Sequence, residues 1–122
     1  MKLRIKGNSV RMRLSKTEVE ELVSGSLLQD STSFGNNSFG YAVQPVNNGE
    51  FLTAGYDNNI ITLYVPVDLL KEWSTNSVVG FESKMPLENS GNLHLLLEKD
   101  FKCLDETIDD QSDFYDNPAK TC

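Results

Sequence analysis

Hydrophobic and polar residues alternate along the first fourteen positions of the chain. Leu3 and Ile5 share one face of an extended segment, with basic residues between them, and the alternation resumes after Gly7 over residues 10–14. A tight hairpin, with Gly7 and the following asparagine as its loop, accounts for both segments and pairs Ile5 with Val10. A single bent strand with a bulge at Gly7 accounts for them equally well, so the pattern leaves both geometries open.

Two short helices interrupt the strand pattern. Ser15 and Glu18 have the spacing of a capping box, and the apolar stripe that follows predicts a helix over about residues 16–24. Pro66 is a residue that the first turn of a helix tolerates, and it predicts a second helix over about residues 66–74. Both helices are short enough to pack on a sheet without forming a layer of their own.

Short apolar runs predict the remaining strands, at residues 27–28, 39–43, 51–56, 60–65, 78–84 and 93–101. Turns rich in asparagine and glycine join the second, third and fourth of these runs, which predicts an antiparallel meander. The polar residues 30–38 are expected to be a connection, and no internal repeat is visible. We therefore predict an α+β fold: an antiparallel, strongly twisted or partly closed sheet of six or seven strands, packed on the two helices.

Charge is distributed unevenly along the chain. The 122 residues include 11 Lys+Arg and 18 Asp+Glu, for a net charge of −7, which disfavours a general nucleic-acid-binding protein. Residues 1–16 contain six cations and no acid, whereas residues 104–122 contain six acids and one lysine. We predict one globular domain over residues 1–104 and an acidic C-terminal tail or docked arm over residues 105–122.

The basic N-terminal segment suggests the leading functional hypothesis. A hairpin places five cations on one face, named here the basic strand face: Lys2, Arg4, Lys6, Arg11 and Arg13. Like charges that lie opposite each other need acids, water or an anion nearby. We expect a non-enzymatic binding or accessory protein whose basic strand face holds a small anion or its own acidic tail. The pattern names no cofactor and no specific partner, and a homo-oligomer through a sheet edge is open.

Neither a membrane span nor a secretory signal is visible in the sequence. No stretch of 18 apolar residues predicts a transmembrane helix, and the first residues alternate instead of forming an apolar signal-peptide core. We therefore expect a cytoplasmic protein without a membrane partner.

The last predicted strand suggests an alternative chemistry. Glu98 and Asp100 share a face with His94, and carboxylates so spaced can bind a divalent cation. With Glu82 as a further ligand, the alternative is a metal-dependent phosphohydrolase acting on a phosphate or polyphosphate substrate. Its alternating charged strands resemble those of tunnel-shaped triphosphate enzymes, whose specific motifs are missing here. The simpler interpretation makes the two carboxylates salt-bridge partners of cations on a neighbouring strand, among Lys2, Arg4 and Arg13.

Four segments together suggest a family. They are the opening KLRIKGNSVRMRLSKTEV, the later VGF at residues 79–81, the block LEKDFKCL at residues 97–104, and an acidic run at residues 109–118 that closes with Asn-Pro. These segments resemble a family of small, uncharacterised bacterial proteins. In that family an aromatic residue followed by Pro-Asn-Pro closes the run, whereas this chain has YDNP at residues 115–118. The resemblance implies a grouping and a bacterial origin, and it implies no activity.

Overall fold

The computed structural model describes residues 1–102 and 113–116. Much of the predicted acidic tail, residues 105–112 and 117–122, lies outside the described residues. The described residues form eight strands and two helices: β1 (Lys2–Ile5), β2 (Ser9–Leu14), α1 (Lys16–Val23), β3 (Leu28–Ser33), β4 (Ser38–Val46), β5 (Thr53–Asp57), β6 (Ile60–Pro66), α2 (Val67–Leu70), β7 (Gly80–Pro86) and β8 (Asn92–Lys99).

The strands form two four-stranded sheets instead of one sheet. The first sheet has the order β1-β2-β8-β7 and the second has the order β3-β4-β6-β5. The α+β class is confirmed, but the predicted strand count was too low and neither sheet is closed. The division into two sheets could not be predicted, because alternation identifies the buried face of a strand but does not identify the neighbouring strand with which that strand pairs.

The two inner strands of each sheet are parallel, so the predicted antiparallel meander is wrong. Strand β4 pairs in parallel with β6, and β5 lies on the far side of β6. The connection between β4 and β5 buries Leu52, which is only 1% exposed, in the core, and this connection does not form a tight hairpin. The order ββαββ therefore occurs twice in the fold, and each half contributes one hairpin to each sheet.

The apolar core lies between the sheets and is closed at one end by the helices. Met12 of the first sheet and Leu63 of the second are fully buried in one cluster with Trp73, which follows α2. The indole N–H of Trp73 donates to the carbonyl oxygen of Val78 at 2.8 Å, and the ring centroid lies 4.9 Å from that of Phe81. The four hairpin turns lie at the opposite end, where neither α1 nor α2 covers the core.

The two helices agree with their sequence signals to different extents. In α1 the Glu18 N–H donates to Ser15 Oγ at 3.3 Å, and the Ser15 N–H donates to the Glu18 carboxylate at 2.8 Å, which confirms the capping box. Helix α2 ends at Leu70 instead of residue 74, because Lys71 adopts an extended ψ of 121° and Glu72 then adopts a left-handed φ of 60°. No helix in residues 1–102 and 113–116 is long and apolar enough to cross a membrane.

The polar segment that was expected to be a connection contains strand β3. Five of its six residues are exposed, and it pairs antiparallel with β4 along one side only. An exposed edge strand has no buried face along most of its length, so its sequence lacks the alternation by which a strand is recognised.

Candidate anion-binding face

The hairpin of β1 and β2 places the basic strand face on the outer side of the first sheet. Its register pairs Lys2 with Arg13 and Arg4 with Arg11, which confirms the hairpin over the bent strand. Gly7 has a φ of 55°, the left-handed conformation that such a short loop requires. The cations therefore point towards solvent, while the apolar residues between them face the core.

Strand β8 brings two acids beside these cations. Glu98 lies next to Arg13 in the parallel register, and its Oε1 is 3.1 Å from Arg11 Nε and 3.8 Å from Arg13 Nε. Lys2 Nζ lies 2.8 Å from an oxygen of Asp100. These distances confirm the simpler interpretation, in which Glu98 and Asp100 are salt-bridge partners of the N-terminal cations.

The Glu98 carboxylate is shared between two arginines. Arg11 Nε and Glu98 Oε1 are both buried, and their geometry does not form a hydrogen bond although they lie 3.1 Å apart. The contact is therefore ionic, and one carboxylate offsets only one of the two guanidinium charges. The arginine pair of β2 keeps an excess of positive charge.

Three further cations on this side of the sheet have no acidic partner within 4 Å in the described part of the chain. They are Arg4, Lys6 and Lys84. Arg4 lies directly opposite Arg11, an unfavourable like-charge pair. Lys84 was absent from the predicted site, although its position two residues after Glu82 in a predicted strand was an available signal. In total this face carries six cations and three carboxylates, in a chain whose net charge is −7.

The three side chains of the alternative metal site contact different partners. Glu98 contacts arginines, Asp100 contacts Lys2, and His94 Nε2 lies 2.8 Å from Glu82 Oε1 on β7. Within residues 1–102 and 113–116, no group of three or more histidine, cysteine, aspartate or glutamate side chains could hold a metal ion. The structure therefore does not bring the candidate ligands together.

The start of β1 is attached to helix α1. The Met1 ammonium donates to Glu18 Oε2 at 2.7 Å. Partial burial raises the pKa of Glu18, but the hydrogen bonds from this ammonium and from Ser15 outweigh burial, so the pKa is lowered from its ordinary value. This contact holds the strand that carries Lys2 and Arg4 in place.

A second surface, named here the turn-end groove, lies between the two sheets at their hairpin turns. Side chains that point between the sheets stay accessible there, since Ile5 is 52% exposed and Tyr56 is 64% exposed. They line an open cavity of about 540 Å³ together with Phe39, Ile61 and Leu93. The hydrophobic pattern of the sequence does not predict this groove, because alternation is the same for a residue in a closed core and for one at its open end.

The described part of the predicted acidic tail is exposed. Phe114 is 62% exposed, and Tyr115 is fully exposed at 101%. Both aspartates that flank them are exposed as well. These four residues are therefore not packed against the domain.

Comparison with known proteins assigns the sequence to a family. No curated protein and no solved structure matches the chain at a significant level. DUF7009, a family of unknown function, matches residues 1–119 of the 122. This match agrees with the resemblance to an uncharacterised family that the sequence motifs indicate. The chain therefore belongs to the DUF7009 family of unknown function.

Proposed function

We propose that this protein is a cytoplasmic, non-enzymatic binding protein whose basic strand face holds an anion. The observation that carries the proposal is the cross-strand pair of Arg4 and Arg11, on a face with three more cations than carboxylates. Folding places these two arginines directly opposite each other on adjacent strands, which is unfavourable unless an anion lies nearby. Guanidinium groups also bind carboxylate and phosphate through strong, charge-assisted hydrogen bonds.

The acid–base groups of this face support binding over catalysis. Glu98 and Asp100 are held by cations, and His94 is held by Glu82. A general acid or base must reach the reacting atom of a substrate. In the described structure each candidate group already has a protein partner, so a ligand would meet mainly the cations.

Two kinds of anion fit the proposal, a small anion from solution and the acidic tail of the same chain. Among the described tail residues, the exposure of Asp113 and Asp116 supports the small anion over these two aspartates, because an aspartate that neutralised this face would be partly buried against it. Phosphate and citrate are suitable probes, since they carry the phosphoryl and carboxylate oxygens that guanidinium groups recognise.

Isothermal titration calorimetry of the full chain with inorganic phosphate and with citrate at low ionic strength tests the proposal. We expect Arg4→Gln to lower the association constant about five-fold or more, because it removes the guanidinium group of one of the two paired arginines. Lys71→Gln is the matched control, since Lys71 is exposed and pairs with Asp68 on α2. Absence of binding to the unmodified chain, or an equal loss in both variants, would contradict the proposal.

A second variant separates the two kinds of anion. Asparagine replaces the four aspartates of the acidic run: Asp109, Asp110, Asp113 and Asp116. If the tail occupies the basic strand face, this variant binds phosphate more tightly than the unmodified chain. If the face is free for a small anion, the two affinities agree within about two-fold at high salt, where long-range effects of net charge are screened.

A further inference from the structure

Strand β1 is a sheet edge with unpaired backbone groups. The Lys6 N–H donates to the carbonyl oxygen of Ser9 at 3.1 Å, so these two residues form a hydrogen-bonded pair at the turn. In an antiparallel ladder such pairs alternate, and the next one along β1 is at Arg4. The backbone N–H and C=O groups of Leu3 and Ile5 therefore point away from β2, towards the free side of the sheet.

Two other sheet edges are partly covered by side chains. On β3 the Ser31 N–H donates to the carboxylate of Asp30 at 2.8 Å. On β5 the Ala54 N–H donates to the sulfur of Met85 at 3.4 Å, so β7 covers this edge. In residues 1–102 and 113–116, no comparable side-chain contact is made to the outward N–H groups of β1. The edge of β1 is thus more accessible for an added strand than the edges of β3 and β5.

The side chains of β1 differ in chemistry on its two sides. Lys2 and Arg4 lie on the outer side, with Lys6 continuing their row into the turn. Leu3 and Ile5 lie on the inner side, where Leu3 packs against the core and Ile5 lines the turn-end groove. A strand added here would meet cations with every second side chain and an apolar surface with the others.

These features select one kind of occupant. A second copy of the chain that added its own β1 would place cations opposite cations, which is unfavourable. We propose that β1 accepts, by strand addition, an extended segment of a partner protein in which acidic residues alternate with apolar ones. The acidic side chains contact Lys2 and Arg4, and the apolar side chains follow Leu3 and Ile5 into the turn-end groove. The inference rests on the proposed function, because the same cations bind the anionic groups.

The test uses a fluorescein-labelled, end-capped peptide of three Glu-Val repeats, and fluorescence anisotropy with the full chain. Ile5→Pro removes the outward N–H but no hydrogen bond to β2, and proline is tolerated on an edge strand. We expect this variant to weaken peptide binding at least ten-fold. Ile5→Val keeps the N–H and the branched side chain, and we expect it to bind within about three-fold of the unmodified chain.

A modified peptide keeps the test valid if Ile5→Pro does not fold. N-methylation of every second amide removes the donors on one side of an extended peptide only. We expect methylation of one alternate set to abolish binding and methylation of the other set to leave it within about three-fold, because only one side of the added strand faces β1. Equal effects of the two methylated peptides would contradict strand addition.

The outcomes separate this inference from the proposed function. If Arg4→Gln weakens both phosphate and peptide binding while Ile5→Pro weakens neither, anion binding stands and strand addition is overturned. If the peptide binds only when the four tail aspartates are replaced by asparagine, the chain's own tail is the occupant and the partner proposal is overturned. If size-exclusion chromatography shows a dimer that Ile5→Pro converts to a monomer, a second copy is the occupant, which also overturns it.

Discussion

Replacement of Glu98 by glutamine should destabilise the fold and, at the same time, strengthen anion binding. Glu98 Oε1 lies 3.1 Å from Arg11 Nε and 3.8 Å from Arg13 Nε, so this one carboxylate offsets positive charge on both arginines. Its removal leaves Arg11 and Arg13 without an acidic partner within 4 Å among the described residues, next to Arg4 on the neighbouring strand. Opposite effects on stability and affinity distinguish a ligand-binding face from an ordinary surface ion pair.

The size of each effect can be worked from the structure. The side chains of Glu98, Arg11 and Arg13 are 25%, 30% and 43% exposed, so each ion pair is partly screened by solvent. Exposed pairs contribute roughly 0.2–1 kcal/mol each, and the loss of two partly buried ones should lower the free energy of unfolding by about 1–2 kcal/mol. In a domain of this size that lowers Tm by about 3–8 °C. Loss of a negative charge that lies about 6 Å from a bound anion of unit charge, in a water-like medium, strengthens binding by about 0.7 kcal/mol. This corresponds to a roughly three-fold gain in affinity.

Urea unfolding followed by the fluorescence of Trp73 measures the first effect, because this single tryptophan is fully buried. Calorimetry with inorganic phosphate measures the second. Glu20→Gln is the matched control: it makes the same change in net charge at an exposed position of α1, so we expect little change in either quantity. Weaker phosphate binding by Glu98→Gln would refute the reasoning, since it would mean that the carboxylate assists the ligand instead of competing with it.

Substitutions at three other positions test the packing that positions the face. A Cβ on Gly80 would lie 2.8 Å from the Cα of Glu98, so Gly80→Ala should lose about 1–3 kcal/mol in urea unfolding; unchanged stability would contradict this close approach. Ser15→Ala removes the side-chain cap of α1 and should lose about 1 kcal/mol, most of which Ser15→Asp should restore. Because the folded pKa of Glu18 is lowered, its carboxylate stabilises the fold above its ordinary pKa of 4.5, and this contribution is lost as the pH falls through the folded pKa. In thermal unfolding at a series of pH values, Tm should therefore fall less steeply at acid pH for Glu18→Gln than for the unmodified chain. Parallel profiles of Tm against pH would exclude this role of Glu18.

The local parts of the fold could be predicted from the sequence because each has one dominant physical cause. Alternating cations and apolar residues around Gly7 give the register of the N-terminal hairpin once the hairpin is chosen over a bent strand, a choice that the pattern left open. The reciprocal contacts of Ser15 and Glu18 determine the start of α1. The choice between strand partners could not be predicted. It depends on where the connection that buries Leu52 crosses the core, and no short-range pattern reports that.

The candidate site, like the fold, could be predicted from the sequence only in part. The five residues of the basic strand face and the acids Glu98 and Asp100 follow from spacing along single strands. Lys84 and the turn-end groove depend on which strands become neighbours and on how the two sheets end. The groove in particular lies at the end of the core opposite to α1 and α2, a property of the assembled sheets and of no single segment.

The interlocked arrangement of the two halves has a consequence for the order of events during synthesis on the ribosome. Residues 28–66 supply all four strands of the second sheet, so that sheet can form as soon as this continuous stretch has emerged. In the first sheet, Ser9 pairs with His94, 85 positions later, so β2 must wait for the last strand to be made. Long-range pairing of this kind slows folding. Until residues 94–100 have been translated, the nascent N-terminal hairpin lacks Glu98, Asp100 and its neighbouring strand, so the proposed binding surface is incomplete.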